Sequence, residues 1–289
     1  MRLAVHTGHT RAAGVIGAPI RHSLSPTIFN AAFEAAGLDW AYLAFEVPEG
    51  AAGLALGGMR ALGIEGLSVT MPHKAAVLDG LDVVSPAAQA LGAVNCITRR
   101  GSELHGDNTD GGGFLDALRV DEGIDPAGLA VAVVGAGGAG RAVVRALGGA
   151  GVGSLWVLNR SPEPAERAAA LGGPVARVGR PQDIGLADLV INATPLGMGV
   201  LVSTSGEHEP LPVDVDLLRT DAVLVDLIYH PAVTPLLEAG RARGLRTVNG
   251  LGMLIHQAAH AFRHWTGEDP PLEAMSAAAV AGLGAQHLG

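Results

Sequence analysis

Short apolar runs alternate with stretches of helical periodicity along most of this chain. A continuous apolar run is typical of a strand buried on both faces of a parallel sheet, whereas apolar residues three or four positions apart are typical of an amphipathic helix. Their alternation predicts an α/β fold with mostly parallel sheets. In the first part of the chain we predict strands at residues 14–17, 42–47 and 65–70, a hairpin of 93–99 and 103–107, and helices that begin at Ser25-Pro26, near Gly53 and at Ser85-Pro86.

A glycine-rich turn opens the second part of the chain. After the apolar run 131–134, Gly135, Gly137 and Gly140 give the spacing G-x-G-x-x-G, and helical periodicity then resumes. Between a strand and a helix this spacing predicts a dinucleotide site, because the glycines permit a tight turn, let a pyrophosphate approach the backbone and let helix and strand pack closely. Further strands are predicted at 154–158, 174–178, 188–192, 222–227 and 245–248, with a helix that begins at Thr234-Pro235.

The length of 289 residues favours two domains. A helix that begins at Asp110 is predicted to lead from the first domain into the second. The helical segment from Leu251 has no sheet of its own, so we expect it to pack on the first domain. We therefore predict an open α/β domain of residues 1–115 completed by C-terminal helices 251–289, and a Rossmann dinucleotide-binding domain of residues 116–250, with the two domains flanking a cleft.

Composition narrows the possible partners. Hydrophobic residues make up 48% of the chain, and the formal net charge of −9 argues against a nucleic-acid or anionic membrane surface. Cys96 is the only cysteine, which excludes an intrachain disulfide and fits a reducing cytoplasm. No apolar run approaches the roughly 20 residues needed to span a bilayer. We expect a small-molecule ligand and a cytoplasmic monomer or homodimer.

The end of the second Rossmann strand predicts which dinucleotide is bound. An acidic residue there would accept a hydrogen bond from the ribose 2′-OH of NAD, but this chain has Asn159, Arg160 and Ser161. A guanidinium offers a planar, permanently charged set of donors to a 2′-phosphate. We therefore predict NADP; the alternative is that Arg160 is only a solvated surface charge.

Polar residues follow successive strands of the first domain, where the ligand-binding loops of an open α/β sheet gather. Each also has a simple structural interpretation: Ser25 before Pro26 as a helix N-cap, for example, or Lys74 as a solvated lysine. Together they offer hydroxyls and amides to a polyol or carboxylate, with one lysine and one aspartate to move a proton. The set is Ser23, Ser25, Thr70, Lys74, Asn95 and the cluster Asp107-Asn108-Thr109-Asp110.

Nine motifs stand in order between Gly14 and Trp265: GAPIRHSLSP, SVTMPHK, GAVN, GDNTD, GAGGAG, NR, INATPLGM, DLIYHPAVTPLL and GLGMLIHQ. In this order they resemble the shikimate dehydrogenases, the aroE family of aromatic amino acid biosynthesis. The resemblance implies an α/β substrate-binding domain and a Rossmann domain. It also implies the reversible NADPH-dependent reduction of 3-dehydroshikimate to shikimate.

The same resemblance implies roles for matching residues. Lys74 and Asp110 would be the catalytic pair, because hydride delivery to C3 generates an alkoxide that a lysine ammonium can stabilise and protonate. Ser23 and Ser25 would bind the substrate carboxylate. The other implied substrate-binding residues are Thr70, Asn95, Tyr229 and Gln257. The implied cofactor-binding residues are Gly135, Ala136, Gly137, Gly138, Ala139, Asn159, Arg160, Ser161, Thr194, Leu227, Gly250 and Met253.

The chain departs from the family pattern in three places. Ser68 and Phe29 stand where family members commonly have Asn and His. In the nucleotide motif NRTxxRAxxL, Pro164 stands where the second arginine would be, so NADP preference would rest on Arg160, with Arg167 as a further candidate. A quinate or aminoshikimate dehydrogenase with relaxed NAD or NADP use is therefore the main alternative. A non-catalytic dinucleotide-sensing protein is a remote one.

Three histidines, His256, His260 and His264, recur every four residues near the C-terminus. This spacing can bind a metal, but Gln257 stands where a metalloprotease would have its general base, and no carboxylate ligand is close in sequence. We predict a packed or solvated row of histidines and no metal.

Overall fold

The computed structural model describes residues 6–198 and 211–286. By its internal contacts the chain separates into two units: unit 1 is Met1–Thr109 with Ile255–Gly289, and unit 2 is Asp110–Leu254. These limits fall a few residues from the predicted domain boundaries at 115/116 and 250/251. The ends of the predicted first domain, 1–5 and 287–289, lie outside the described residues.

The described residues form twelve strands and nine α-helices, numbered in chain order. The strands are β1 (Arg11–Gly17), β2 (Trp40–Glu46), β3 (Gly66–Val69), β4 (Val83–Val84), β5 (Cys96–Arg100), β6 (Glu103–Asp107), β7 (Ala130–Val134), β8 (Ser154–Leu158), β9 (Ala176–Val178), β10 (Leu189–Asn192), β11 (Val223–Asp226) and β12 (Arg246–Val248). The helices are α1 (Ser25–Ala35), α2 (Ala52–Leu62), α3 (Pro86–Leu91), α4 (Asp110–Asp116), α5 (Gly138–Gly149), α6 (Pro162–Leu171), α7 (Pro235–Ala242), α8 (Leu251–Thr266) and α9 (Leu272–Gln286). Within residues 6–198 and 211–286, none of these helices is long and apolar enough to cross a membrane.

Unit 1 contains a six-stranded sheet in the order β2-β1-β3-β5-β6-β4. β1 is parallel to β2 and β3, and β4 is parallel to β6, but β5 is antiparallel to both of its neighbours. The predicted hairpin of β5 and β6 is confirmed, and it makes this sheet mixed. The hydrophobic pattern does not predict β4, which is only two residues long.

Helix α1 begins one residue earlier than predicted. Ser25 is its first helical residue, Leu24 is the N-cap, and no side chain caps the helix. The prediction that the Ser25 hydroxyl caps α1 is therefore wrong, because Pro26 occupies the second helical position rather than the first. The Ser25 backbone N–H instead donates to Ser23 Oγ at 3.2 Å.

Aromatic side chains form the core on one face of the unit 1 sheet. The rings of Phe29 and Tyr42 stack with centroids 4.4 Å apart, and Trp265 from α8 lies 4.9 Å from Phe29. A Cβ on Gly66 would lie 2.4 Å from the Trp265 ring, so only glycine lets the indole lie against β3. The indole Nε1 also donates to the Ile97 carbonyl oxygen at 3.0 Å, which fixes α8 on the sheet.

Unit 2 contains a six-stranded, wholly parallel sheet in the order β9-β8-β7-β10-β11-β12. Counted from β7, this order is 3-2-1-4-5-6, the arrangement of doubly wound dinucleotide-binding folds. Val131 and Val133 of β7 belong to the core on one face, and Ala132 belongs to the core on the other. Burial on both faces explains the continuous apolar run in the sequence, and the predicted Rossmann fold is confirmed.

Glycine is required at two positions where β7 turns into α5. Gly135 has φ of +111°, in the region that favours glycine. A Cβ on Gly140 would lie 2.1 Å from the Gly135 carbonyl oxygen. Helix α5 therefore starts in direct contact with the backbone at the end of β7.

We expect Gly140→Ala to lower the free energy of unfolding by about 3 kcal/mol, because the added methyl meets backbone that cannot move aside. Gly149→Ala is the matched control at the other end of α5, where an added Cβ has no atom within 4 Å. It should leave stability unchanged or raise it by up to about 1 kcal/mol. Urea denaturation measures both variants, and equal effects would contradict the close contact at Gly140.

Asp107, the last residue of β6, ties helices α3 and α8 to the unit 1 sheet. Its carboxylate accepts from Ser85 Oγ at 2.5 Å and from the Asn108 backbone N–H at 2.7 Å, and His264 Nε2 lies 3.3 Å away. His264 contributes most to holding the pKa of Asp107 at about 2, against an ordinary value of 3.8, while burial opposes this. The ionised form is therefore the one that the fold stabilises.

Asp107→Asn should reduce the free energy of unfolding by about 1 kcal/mol at pH 7, a value moderated by partial exposure. Because the pKa is lowered in the folded state, the unfolded chain takes up the proton first as the pH falls, and the wild-type advantage should disappear between pH 4 and pH 2. Urea denaturation across this range checks the prediction. Asp269→Asn, which removes an exposed partner of Arg263, is the control with little expected effect; a difference independent of pH would contradict the interpretation.

Candidate active site

One edge of the unit 1 sheet collects several of the predicted site residues. β1, β3 and β6 end at this edge and β5 begins there, because β5 runs antiparallel to its neighbours. Thr70 directly follows β3, Asn95 precedes β5 and Thr109 follows β6 by two residues. The Val69 N–H donates to the Asn95 carbonyl oxygen at 2.8 Å, and the Asn95 N–H donates to the Asp107 carbonyl oxygen at 3.0 Å. The backbone of Asn95 is thus fixed from both sides.

The side chain of Asn95 is the centre of a buried polar cluster. Its Nδ2 donates to Thr109 Oγ1 at 3.0 Å, and its Oδ1 accepts from the Thr109 backbone N–H at 2.8 Å. Gln257 Oε1, from α8, lies 3.5 Å from both Asn95 Nδ2 and Thr109 Oγ1. The structure therefore brings together Asn95 and Gln257, residues 162 positions apart that were both predicted. It adds Thr109, which the sequence singled out only as part of the cluster 107–110, with no role of its own. Thr109 stands in the motif GDNTD, and this motif is the sequence signal that could have identified it as a site residue.

The loop after β1 carries Ser23 and Ser25. The Ala18 N–H donates to the Met71 carbonyl oxygen at 3.0 Å, so the loop after β1 is joined to the loop after β3. Ser25 is 7% exposed and Ser23 is half-buried. The segment that leads to both predicted serines is therefore joined to the loop that begins with Thr70.

Lys74 is held at the same edge through its backbone. Its carbonyl oxygen accepts from the Val94 N–H at 2.8 Å, next to Asn95. His73 is 1% exposed, and its Nε2 lies 2.7 Å from the Val47 carbonyl oxygen. His73 was not predicted, although it stands inside the motif SVTMPHK, and its fixed ring anchors the loop that carries Lys74. Among the 19 lysine and arginine side chains of the protein, Lys74 is the only lysine.

Asp110, the implied catalytic aspartate, and the implied cofactor-binding residues belong to unit 2. Asp110 is the first residue of α4 and is 6% exposed. The next residue, Gly111, packs against α5 so closely that a Cβ there would lie 2.9 Å from the Ala142 carbonyl oxygen. Asp110 is thus at the start of a helix fixed on the helix that follows the glycine turn.

The glycine turn has the features that a pyrophosphate requires. Gly137 is the N-cap of α5, no side chain caps this helix, and a Cβ on Gly137 or Gly138 would have no atom within 4 Å. The start of α5 therefore has no side-chain cap, and its first two glycines leave room beside the backbone. Asn159 Oδ1 accepts from the Ala136 N–H at 3.3 Å, which links the turn to the end of β8. These observations fit a dinucleotide.

The two arginines that the sequence offers for a 2′-phosphate, Arg160 and Arg167, differ in their surroundings. Arg160 is exposed and makes no hydrogen bond or ion pair with any residue in 6–198 or 211–286. Arg167 is paired with Glu163, one turn earlier on α6. Arg160 is therefore the arginine whose guanidinium can bind a phosphate without first breaking an ion pair.

A buried network under the ends of β10 and β11 was missed by sequence reasoning. Asn192, Asp226 and Thr234 are each 0% exposed. The Asp226 carboxylate accepts from Asn192 Nδ2 at 2.9 Å and Thr234 Oγ1 at 2.7 Å, while burial raises its pKa. Asn192 Oδ1 in turn accepts from the Thr194 hydroxyl at 2.7 Å. The network fixes the loop that carries Thr194, one of the implied cofactor residues.

The segment from Leu227 to Gly250 also belongs to this end of the unit 2 sheet. The Leu227 N–H donates to the Asn192 carbonyl oxygen at 2.9 Å, and the Gly250 N–H donates to the Ile228 carbonyl oxygen at 3.0 Å. A Cβ on Gly250 would lie 1.9 Å from the Leu227 carbonyl oxygen, so the position requires glycine. Burial raises the pKa of Tyr229. Met253, on α8, packs against the unit 2 core.

The histidine row does not form a metal centre in the part of the chain that the structure describes, where no three His, Cys, Asp or Glu side chains are placed to hold an ion. His264 contacts Asp107, and His256 is 5% exposed. These two histidines contribute to the packing of α8.

Comparison with known proteins identifies the family. The chain matches the shikimate dehydrogenase substrate binding domain over residues 15–97 and the shikimate 5′-dehydrogenase C-terminal domain over residues 250–280. The shikimate dehydrogenase (NADP(+)) of Moorella thermoacetica is 45% identical, over 97% of this chain and 96% of that protein. Shikimate 5-dehydrogenase from Thermus thermophilus in complex with NADP(H) and shikimate is 39% identical, with a TM-score of 0.84 over 94% of this chain and 99% of that one. Quinate dehydrogenase from Corynebacterium glutamicum in complex with NAD is 35% identical, with a TM-score of 0.83 and the same coverage. The chain belongs to the shikimate dehydrogenase family.

Proposed function

We propose that this protein is an NADP-dependent shikimate dehydrogenase that interconverts 3-dehydroshikimate and shikimate. The observation that carries the proposal is the edge of the unit 1 sheet, where the loop of the only lysine is hydrogen-bonded beside the buried cluster of Asn95, Thr109 and Gln257. A polyhydroxylated ring acid needs this kind of surface, because its hydroxyls and carboxylate require donors and acceptors at fixed positions. A cytoplasmic monomer or homodimer is part of the proposal, in keeping with the single buried Cys96.

The substrate-binding residues follow from this surface. Ser23 and Ser25 are proposed to donate to the substrate carboxylate, since a carboxylate is only an acceptor and a hydroxyl can always turn its hydrogen toward it. The amides of Asn95 and Gln257 both accept and donate, which suits ring hydroxyls. Thr70 and Tyr229 are proposed to supply the remaining contacts.

The cofactor-binding residues are proposed to be those of the glycine turn and its neighbours. The N–H groups at the start of α5 would hold the pyrophosphate, and Arg160 the 2′-phosphate. Asn159, Ser161 and Thr194 lie beside these two sites along the strand ends, and Leu227, Gly250 and Met253 are proposed for the nicotinamide end. NADPH, when bound, supplies the hydride that reduces the C3 carbonyl.

Lys74 is proposed to protonate the oxygen at C3, and Asp110 to accept a hydrogen bond from a substrate hydroxyl as the second catalytic group. The composition supports a proton-transfer role for Lys74. Lys74 is the only lysine in the chain, and all the other side chains of the Lys and Arg type are arginines. An ammonium group can release its proton within a catalytic cycle, whereas a guanidinium stays protonated in proteins. A purely electrostatic role would be open to either side chain.

Lys74→Ala should lower kcat for shikimate oxidation by at least about 100-fold, with only a modest change in KM, because the proton-transfer group is lost. Lys74→Arg is the matched variant, since it keeps the positive charge and removes the proton transfer. It should lose kcat to a similar extent. Steady-state rates with both variants check this, and a Lys74→Arg enzyme with nearly normal kcat would reduce Lys74 to an electrostatic role.

The proposed function itself is tested by initial rates of oxidation of shikimate and of quinate, each with NADP and with NAD, on one preparation. We expect shikimate with NADP to give the highest kcat/KM. A lead for quinate or for NAD would instead assign the activity of the Corynebacterium glutamicum relative, and absence of turnover with every pair would overturn the enzymatic proposal. Because Arg160 is the arginine available for the 2′-phosphate, it is the first position to vary if NAD leads.

A further inference from the structure

Both unusual residues of unit 1, Ser68 and Phe29, contact the same side chain, that of Tyr42. The Phe29 ring stacks on the Tyr42 ring, with an interplanar angle of 9°. The Tyr42 hydroxyl donates to Ser68 Oγ at 2.8 Å. Tyr42 is 1% exposed and Ser68 is half-buried, so this hydrogen bond lies at the boundary between the core and the surface. The shorter serine has thus gained a buried partner.

Strand β3 connects this aromatic core to the polar edge of the sheet. Side chains alternate along a strand, so Gly66, Ser68 and the following Thr70 point to the same face. Gly66 lies under the Trp265 ring and Thr70 lies at the candidate substrate surface, with the half-buried Ser68 between them. Ser68 is therefore the point where buried core meets substrate surface.

The donors and acceptors of these hydroxyls indicate which hydrogen bonds Ser68 can still form. A serine hydroxyl has one hydrogen to donate and two lone pairs that accept. When Ser68 Oγ accepts from Tyr42, its own hydrogen is directed elsewhere. The Tyr42 hydrogen bond therefore leaves the Ser68 hydrogen for an acceptor at the substrate surface.

We propose that Ser68 binds the substrate carboxylate together with Ser25, and that Tyr42 is the positioning residue that orients the Ser68 hydroxyl. This inference rests on the proposed function, since it assumes a ring carboxylate as the ligand. A hydroxyl that is already oriented binds a carboxylate more tightly than a freely rotating one, because less side-chain entropy is lost on binding. Phe29 supports the arrangement by holding the tyrosine ring in its stack.

Tyr42→Phe removes the hydroxyl and keeps the ring stack, so it is the decisive variant. We expect KM for shikimate to rise about fivefold to tenfold, as for loss of an oriented hydrogen bond, with kcat and KM for NADP within about twofold of wild type. Ser68→Ala should give a similar rise. The double variant should be little worse than either single one, because the two groups act as a unit.

The control is Ser85→Ala, which removes another hydroxyl of unit 1, one that hydrogen-bonds to Asp107. It should lower the melting temperature and leave KM for shikimate unchanged. An unchanged KM in Ser68→Ala would overturn the inference even if Tyr42→Phe fails to fold. Where all the variants fold, additive effects of Tyr42→Phe and Ser68→Ala would overturn it too. If Tyr42→Phe lowers kcat and raises KM for shikimate and KM for NADP by similar factors, the role of Tyr42 is only to stabilise the fold. A wild-type enzyme inactive on shikimate would reject the proposed function instead.

Discussion

The buried main chain and side chain of Asn95 are the constraint on which the unit 1 site depends. Its carbonyl oxygen and N–H join the segments that end β3 and β6, and its amide fixes Thr109. This placement is possible because β5 runs antiparallel to its neighbours, which brings its beginning to the edge where the other strands end. A strand of the opposite direction would have put Asn95 at the far edge of the sheet. The polar cluster is therefore a product of topology as much as of residue type.

Much of the fold could be predicted because its signals are local. The apolar run of β7 and the glycines after it lie within a few residues of each other, and both faces of that strand are buried as expected. The serine–proline pair at Ser85 and the threonine–proline pair at Thr234 mark helices whose caps the structure confirms. The same reasoning was wrong at Ser25, because sequence alone does not tell whether proline takes the first or second helical position.

The candidate site was predictable only where residues stand in motifs. The motifs contain Lys74, Asn95 and Gln257, and their functional roles stay predictions. What escaped was the set of supporting contacts, such as Tyr42 with Ser68 and Asn192 with Asp226, whose partners are 26 and 34 positions apart. Hydrogen bonds of this kind leave no periodicity in a single sequence, because each partner taken alone reads as an ordinary polar or core residue.

The presence of only one lysine in the protein has a practical consequence. Amine-reactive reagents usually label a protein surface at many places, since lysines are common and exposed. Here the side chain of Lys74, half-buried on an anchored loop, is the only primary amine besides the chain's own N-terminus. Any reagent that acylates or crosslinks side-chain amines would therefore report on the environment of this one loop.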